Sequence, residues 1–168
     1  MHADDVLAIY SNLAAESVPV WIDGGWCVDA LLGKQTREHA DLDIAVAREH
    51  AQRLKELFAR WGYVLQPRQD ATDWNYVVGV GSGSTVDVHV FEFDDQGNNT
   101  YGIEYPKDSL TGTGVIAGQQ VRCISAEWMF RFKTAYTPKD KDLDDVRALG
   151  ERYGFEVPAT HRRPAPLL

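Results

Sequence analysis

The chain has 168 residues, of which 44% are hydrophobic and 25% are charged, and its formal net charge is -8. These proportions are ordinary for one globular domain that is large enough to bury a core without disulfides. The excess of acidic residues argues against a broad nucleic-acid-binding surface, which needs a surplus of Lys and Arg. Cys27 and Cys123 have no paired spacing and are interpreted as reduced thiols. With no signal-peptide core and no membrane-spanning apolar run, we expect a cytoplasmic protein.

The first elements surround a glycine pair. Apolar residues at helical spacing predict a helix over 4–16, and a short strand over 20–22 follows it. Gly24-Gly25 then leads into a short helix over 26–32, which Gly33 ends, and the next strand covers 42–46. The segment therefore reads strand, glycine turn, helix, strand.

The middle of the chain alternates between helical and extended patterns. Residues 48–61 form an amphipathic helix that stops at Gly62. Strands are predicted over 63–67 and 74–80, and the alternation over 85–93 predicts a third strand.

The last third begins with a polar loop over 94–100 and a mixture of short strands and glycine turns over 101–124. Ser125 is the predicted N-cap of a helix that ends near residue 135, and a second helix is predicted over 139–153. We interpret the chain as an α+β fold, a mixed sheet flanked by helices with a small helical C-terminal part. The predicted parts are a core over 1–106, an extension with two helices over 107–157 and a disordered tail over 158–168.

Two carboxylates follow the glycine pair, at Asp41 and Asp43. Side chains two apart on a strand point to the same face, so these two project together. Like charges ~4 Å apart near a protein surface repel by roughly 4 kcal/mol, which a bound cation would offset. Mg²⁺ takes oxygen ligands and is often shared with phosphates, and a glycine turn that opens a helix suits phosphates. The segment predicts a site for a metal and a nucleotide.

A third carboxylate, Asp87, lies on the strand over 85–93 and shares its face with His89 and Phe91. If this strand lies beside the one that carries Asp41 and Asp43, three carboxylates converge. Such a trio can hold two Mg²⁺ ions that align an attacking oxygen, a phosphorus atom and a leaving oxygen. Asp87 is also placed to accept the proton of an attacking hydroxyl.

These residues carry a family resemblance. Gly24-Gly25, Asp41-Leu42-Asp43 and Asp87 match the pattern of the nucleotidyltransferase superfamily that includes DNA polymerase beta. Within it, the run 23–43 resembles the antibiotic nucleotidyltransferases, first the lincosamide type and next the aminoglycoside 2''-type. The segments 86–89 and 139–149 share the likeness, which spans most of residues 20–150.

The resemblance implies a nucleotidyltransferase fold and roles for individual residues. The implied metal ligands are Asp41, Asp43 and Asp87, with Asp87 also as general base. The implied nucleotide-binding residues are Gly24, Gly25, Arg37, His39 and Lys133. Apart from the resemblance, Glu104 and Tyr105, in a glycine-rich region, and His89 are the candidates for the acceptor site. The implied reaction transfers a nucleoside monophosphate from an Mg²⁺-bound NTP to a hydroxyl of a small antibiotic and releases pyrophosphate. A lincosamide is the first expectation for that antibiotic.

Alternatives stay open at this point. Arg37 could pair with Glu38 or Asp41 at the surface, Lys133 could be solvated, and Glu104 is the second candidate for the general base. The acceptor could be an aminoglycoside, a protein or a tRNA, although the acidic net charge disfavours nucleic acid. A binding module that holds a nucleotide without turnover is the remaining alternative. The chain is short for an enzyme with a full helical substrate domain, which leaves room for a homodimer whose second copy completes the acceptor pocket.

Overall fold

The computed structural model of the chain describes residues 1–81 and 83–163. Its five α-helices are α1 (Ala3–Ala15), α2 (Gly24–Leu32), α3 (Arg48–Arg60), α4 (Ala126–Thr134) and α5 (Asp140–Tyr153). Its strands are β1 (Val20–Asp23), β2 (Asp41–Ala47), β3 (Val64–Gln66), β4 (Asn75–Gly79), β5 (Thr85–Phe93), β6 (Asn99–Gly102), β7 (Gly112–Ile116) and β8 (Gln119–Cys123). The predicted α+β class with a mixed sheet and two late helices is therefore confirmed.

One eight-stranded sheet organises the molecule, in the order β3-β4-β5-β2-β1-β8-β7, and β6 also pairs with β5. The pairs β2–β5 and β1–β8 are parallel, whereas β1–β2 and β4–β5 are antiparallel. Antiparallel pairing of β1 with β2 brings the end of the first strand beside the start of the second. The α2 segment, which joins the two strands, therefore begins at the same edge of the sheet where β2 begins.

The two faces of the central strands differ in chemistry. One face carries only aliphatic residues that are almost completely buried, namely Val20, Ile22, Leu42, Ile44, Val46, Val86, Val88 and Val90. On this side lies α3, whose Lys55 ammonium sits 4.7 Å from the centre of the Tyr76 ring. The opposite face carries the acids and His89, so the alternation predicted for β5 separates a hydrophobic core from a polar surface.

The helix ends follow the sequence signals with one exception. Gly33 and Gly154 adopt positive φ of 70° and 75° directly after α2 and α5, the left-handed conformation that favours glycine. Ser125 occupies the N-cap position of α4, but its side chain makes no capping hydrogen bond. Its hydroxyl instead donates to the Asp108 carbonyl at 3.5 Å. Ser125 therefore occupies the predicted N-cap position but does not make the expected capping hydrogen bond.

The segment after residue 100 is more ordered than the sequence indicated. The hairpin of β7 and β8 extends the sheet next to β1, so the sheet continues past the predicted division at residue 106. That division stays a prediction. The predicted disordered tail is wrong for residues 158–163, because 159–161 form a 3₁₀ turn in which His161 is 3% exposed. Residues 164–168 of that tail lie outside the described residues.

Within the described ranges, the helices are all too short or too polar to cross a membrane.

Candidate active site

A row of three aspartates crosses the centre of the sheet. Asp43 is the register partner of Asp23 on β1 and of Asp87 on β5, so the three side chains stand next to one another on one face. Asp41 lies on the same face, two residues before Asp43, and is exposed. The structure therefore brings Asp43 and Asp87 of the predicted trio side by side, leaves Asp41 at the exposed end of the same face, and adds Asp23, which the sequence analysis did not select. The sequence feature that could have identified Asp23 is its position at the end of a strand, directly before the glycine pair.

The glycine pair turns the chain closely past this row. Gly24 has a φ of +59°, and a Cβ atom placed there would lie 1.9 Å from Oδ2 of Asp43. A Cβ atom on Gly25 would lie 2.5 Å from both Nη2 of Arg37 and Nδ1 of His39. A larger residue would clash at either position. The side chain of Asp43 fills the space beside Gly24, and those of Arg37 and His39 fill the space beside Gly25. The pair thus exposes backbone at the start of α2 beside a carboxylate, a guanidinium and an imidazole.

Asp43 is the electrostatically unfavourable member of the row. Burial raises the pKa of its carboxyl group to about 7, and repulsion from Asp23, Asp41 and Asp87 adds to the shift, while His89 opposes it. Among the described residues, no Lys, Arg or His nitrogen lies within 4.0 Å of its carboxylate. A partly buried acid whose pKa is this high lacks a positive partner.

His89 compensates part of the negative charge. Its ring nitrogens lie 3.5 Å from Oδ2 of Asp23 and 3.5 Å from Oδ1 of Asp87. Burial disfavours the charged imidazole, but the surrounding carboxylates, Asp23 foremost, outweigh it and raise the pKa of His89. Tyr105 completes this cluster, since its hydroxyl donates to Oδ2 of Asp23 at 2.5 Å and lies 3.1 Å from Nδ1 of His89.

Asp87 has one oxygen bonded and one free. Its Oδ2 accepts a hydrogen bond from Nη1 of Arg68 at 2.7 Å. Its Oδ1 is buried and accepts no hydrogen bond from the described residues. Arg68 belongs to the loop between β3 and β4, and nothing in the spacing of that polar loop distinguishes it from its neighbours. The sequence analysis therefore missed it.

Among the described residues, the acids and His89 form one cluster suited to a metal ion. Single ligand atoms of Asp43, Asp87 and His89 all lie within 4.8 Å of one another. The predicted ligand set was Asp41, Asp43 and Asp87. The structure places His89, expected on the acceptor side, in the cluster, and it leaves Asp41 at the exposed edge. The free Oδ1 of Asp87 and the uncompensated Asp43 are the donors that a hard divalent cation prefers.

A polar cavity of about 350 Å³ opens beside the glycine pair. Four cationic side chains line it, and the complete lining is Gly24, Gly25, Arg37, His39, Asp41, Asp43, Lys133, Tyr136, Lys139, Lys141 and Asp142. All five residues that the resemblance implied for nucleotide binding are in this set. Lys139 and Lys141 are exposed at the start of α5 and lie at the rim of this cavity.

Two buried acids of α5 hold the cations of this cavity. Asp145, which is 2% exposed, accepts two hydrogen bonds from Arg37, at 3.3 and 3.1 Å, and lies 2.8 Å from the Lys133 ammonium. Asp142 accepts from Lys133 at 3.3 Å and from the Tyr136 hydroxyl at 2.9 Å. Arg37 pairs with neither Glu38 nor Asp41 through their carboxylates, and Lys133 is buried rather than solvated. The sequence analysis named neither acid as part of the site.

His39 is fixed from the side opposite Gly25. Its Nε2 lies 2.5 Å from Oδ2 of Asp29, and Oδ1 of the same carboxylate accepts from the backbone and hydroxyl of Thr36. The imidazole packs on the Trp26 ring, with the two ring centres 4.5 Å apart. Asp29 therefore sets the orientation of a ring whose other nitrogen faces the glycine pair.

An apolar cavity of about 590 Å³ adjoins the polar one at the carboxylate row. Its wall is formed by Asp23, Gly24, Asp43, His89, Ile103, Glu104, Tyr105, Met129, Phe132, Lys133 and Tyr136. His89, Glu104 and Tyr105, the residues expected at the acceptor, all belong to it. The two cavities share Gly24, Asp43, Lys133 and Tyr136, so they meet at the carboxylates.

Residues 5–149 match the family described as aminoglycoside-2''-adenylyltransferase. The chain belongs to this family. Membership confirms the predicted enzyme class, because the chain is then a nucleotidyltransferase.

Individual members show how the family relates to this chain. A lincosamide resistance protein from Staphylococcus haemolyticus is 29% identical over 143 residues, which cover 79% of this chain and 84% of that protein. A 2''-aminoglycoside nucleotidyltransferase from Escherichia coli is 32% identical over 133 residues, 76% of this chain and 71% of that protein. The predicted likeness to antibiotic nucleotidyltransferases of both types is confirmed.

The fold is shared with a solved family structure. The lincomycin-bound lincosamide antibiotic adenylyltransferase LnuA superposes with a TM-score of 0.74 at 24% identity, covering 87% of this chain and 94% of that one. This likeness confirms the predicted nucleotidyltransferase fold.

The shifted pKa of Asp43 makes a prediction for stability. In the folded chain this carboxyl group has a pKa of about 7, against an ordinary value of 3.8. Between these two pH values the folded state keeps a proton that the unfolded state has released, so the free energy of unfolding falls as the pH rises. Asp43→Asn removes the titrating carboxyl group and therefore the decrease in the free energy of unfolding that it causes. In EDTA, the variant should therefore gain in Tm over the wild type as the pH rises from 5 to 8, by roughly 2–4 °C for each kcal/mol recovered.

The exposed Asp41 supplies the control for this measurement. Asp41→Asn removes the same charge from the same strand. We expect the Tm difference between this variant and the wild type to change less with pH than it does for Asp43→Asn. A difference between Asp43→Asn and wild type that is constant from pH 5 to pH 8 would contradict the assigned shift.

Proposed function

We propose that this chain transfers a nucleoside monophosphate from an Mg²⁺-bound NTP to a hydroxyl of a lincosamide and releases pyrophosphate. The observation that carries the proposal is the junction of two unlike cavities at one carboxylate row. The cationic cavity suits a triphosphate, the apolar cavity suits an amphipathic acceptor, and Asp43 lies where they meet.

The triphosphate would lie against the glycine pair. Backbone N–H groups at the start of a helix bind phosphate oxygens, and the helix dipole favours negative charge there. Arg37 and Lys133 would contact the phosphates as cations already fixed by Asp145, and His39 would orient them. Lys139 and Lys141 would add charge from the rim of the cavity. The family description names an adenylyltransferase, so ATP is the first donor to test.

The donors present fit a divalent cation at Asp43 and Asp87, with Asp41 or His89 as a further contact. The free Oδ1 of Asp87 and the uncompensated charge of Asp43 are the observations that support this fit. When bound, Mg²⁺ would neutralise phosphate charge and align the attacking and leaving oxygens. We propose two such ions, as the predicted carboxylate trio implies.

The proton of the attacking hydroxyl needs an acceptor at the junction of the cavities. Asp87 is our first candidate, because its Oδ1 is free and faces His89, 3.5 Å away. Glu104 is the second candidate, because it lines the acceptor cavity. The hydroxyl oxygen would attack the α-phosphorus as its proton passes to the carboxylate, and the bond from that phosphorus to pyrophosphate would break.

The acceptor cavity favours a lincosamide over an aminoglycoside. The wall beyond the carboxylates is made largely of apolar or aromatic side chains, among them Ile103, Met129 and Phe132. Phe132 packs between Tyr105 and Trp128, with ring centres 6.0 and 5.7 Å away. An aminoglycoside carries several ammonium groups, which would need several carboxylates on this wall, and Glu104 is the carboxylate there apart from the catalytic row. A lincosamide joins an apolar part to a hydroxylated sugar.

An aminoglycoside remains the second candidate acceptor, because the Escherichia coli 2''-aminoglycoside nucleotidyltransferase is 32% identical to this chain.

An acceptor panel tests the proposal. Purified protein is incubated with Mg²⁺, ATP or GTP and, in separate reactions, lincomycin, clindamycin, tobramycin, kanamycin, a protein extract and tRNA. We expect a mass gain of one nucleotide on the lincosamides together with pyrophosphate release, and we expect Asp43→Ala to abolish both while the protein stays folded. Product on aminoglycosides alone would replace the lincosamide assignment. Binding of the nucleotide without any product would support a binding module, and wild-type turnover of Asp43→Ala would contradict the role of the carboxylates.

Asp145 gives a separate prediction for the triphosphate site. Asp145→Asn removes the carboxylate that fixes both Arg37 and Lys133, so we expect ATP to bind about tenfold more weakly, which is about 1.4 kcal/mol. Asp144→Asn is the matched control, because Asp144 is the adjacent acid on α5 and pairs with Arg163 at the surface. Titration calorimetry with the folded variants measures both affinities. Equal effects of the two substitutions would rule out a specific role for Asp145.

A further inference from the structure

We propose that Arg68 is a built-in counter-ion of the carboxylate row, which neutralises Asp87 in the metal-free protein and weakens the binding of a free divalent cation. The inference rests on the proposed function in one respect, since it takes Asp43 and Asp87 as ligands of that cation. It concerns a loop residue to which neither the family resemblance nor the sequence pattern gave a role.

Two hydrogen bonds and one ionic contact hold the guanidinium in place. Nη1 donates to Oδ2 of Asp87 at 2.7 Å, and Nη2 donates to Oδ1 of Asn75 at 2.6 Å. Nε lies 2.7 Å from Oδ1 of Asp70. Asn75 is the first residue of β4, which pairs with β5, so one anchor of the guanidinium is part of the sheet. The side chain of Arg68 is 27% exposed, and its contact with Asp87 is therefore only partly screened by water.

Arg68 reaches a row that has few positive partners. His89 lies between Asp23 and Asp87, and Arg68 brings a permanent positive charge into contact with Asp87. A positive charge fixed at Oδ2 repels a cation that approaches Oδ1 of the same carboxylate. One fixed positive charge about 6 Å from a divalent ion weakens the binding of that ion by about tenfold at the dielectric constant of water.

Arg68 would therefore favour binding of the cation together with the nucleotide over binding of the cation alone. A free divalent cation meets a row in which Asp87 is already neutralised, whereas an NTP brings additional negative oxygens to the same cation. The phosphate oxygens would make up the attraction that Arg68 removes, so the cation should bind weakly alone and tightly together with the nucleotide. Arg68 would in this way keep the site from being filled by a cation before the nucleotide arrives.

Direct measurement of Mn²⁺ binding without nucleotide tests the inference. Electron paramagnetic resonance counts free Mn²⁺ in the presence of the protein, and the Mg²⁺-induced rise in Tm provides a second readout. We expect Arg68→Gln to bind Mn²⁺ about tenfold more tightly than the wild type, because it removes the charge and keeps a polar side chain. Arg68→Lys retains the charge and should stay near the wild-type affinity.

A matched control removes the same charge elsewhere. Arg48 is an exposed arginine that pairs with Glu92 at 2.8 Å, directly after β2 and outside both cavities. Arg48→Gln should leave the Mn²⁺ affinity at the wild-type value, and an equal gain in both variants would show that only net charge matters. If Arg68→Gln does not fold, Asn75→Ala keeps Arg68 and removes one anchor, and it should strengthen Mn²⁺ binding by a smaller factor.

An additional arm separates this inference from the proposed function. Asp43→Asn should lose Mn²⁺ binding. If it does so while Arg68→Gln binds as the wild type does, or more weakly, the inference about Arg68 is wrong and the proposed metal site stands. If Asp43→Asn binds Mn²⁺ as the wild type does, the cation does not use this row, and both the inference and the proposed metal site fail.

Discussion

Repulsion among aligned aspartates is the constraint on which the rest of the site depends. The register of β1, β2 and β5 places Asp23, Asp43 and Asp87 side by side, and an aliphatic core on the opposite face fixes that register. A shift of one residue would turn the acids into the core, at a cost far larger than their mutual repulsion. The hydrophobic face therefore enforces a cluster of like charges that, in isolation, would separate. The same enforcement leaves Asp43 with a raised pKa and makes the row attractive to a cation.

Positive charge is supplied locally in a chain that is acidic as a whole. The net charge is -8, yet Arg37, Lys133, Lys139 and Lys141 gather round one cavity. Net charge says little about the field inside such a cavity. Buried acids of α5 hold two of these cations, so the last helix completes a site whose first residues lie in the glycine turn. The role of α5 in this site is thus to anchor two of the cations.

Features that depend on local periodicity could be predicted from the sequence. Contacts between residues far apart in the chain could not. Asp41 and Asp43 share a face because strands alternate, and helix ends at Gly33 and Gly154 follow from backbone conformation. The nearness of Asp43 and Asp87 needed the family resemblance, since strand order cannot be read from spacing. Arg37 meets Asp145 across 108 positions, and no local pattern predicts such a contact. Asp142 lies in the charged first turn of α5, where side chains are usually solvated, yet contacts with Lys133 and Tyr136 leave it 2% exposed.

The division of the site between two cavities sets how donor and acceptor can approach each other. The polar cavity is built by the glycine turn and α5, whereas the apolar wall comes from residues 103–105 and α4. A nucleotide in the polar cavity and an acceptor in the apolar cavity would both reach Asp43, because this residue lines both cavities. The elements that form the apolar wall are not those that carry the acids. A substitution in the apolar wall can therefore change the shape of that cavity without moving the carboxylate row.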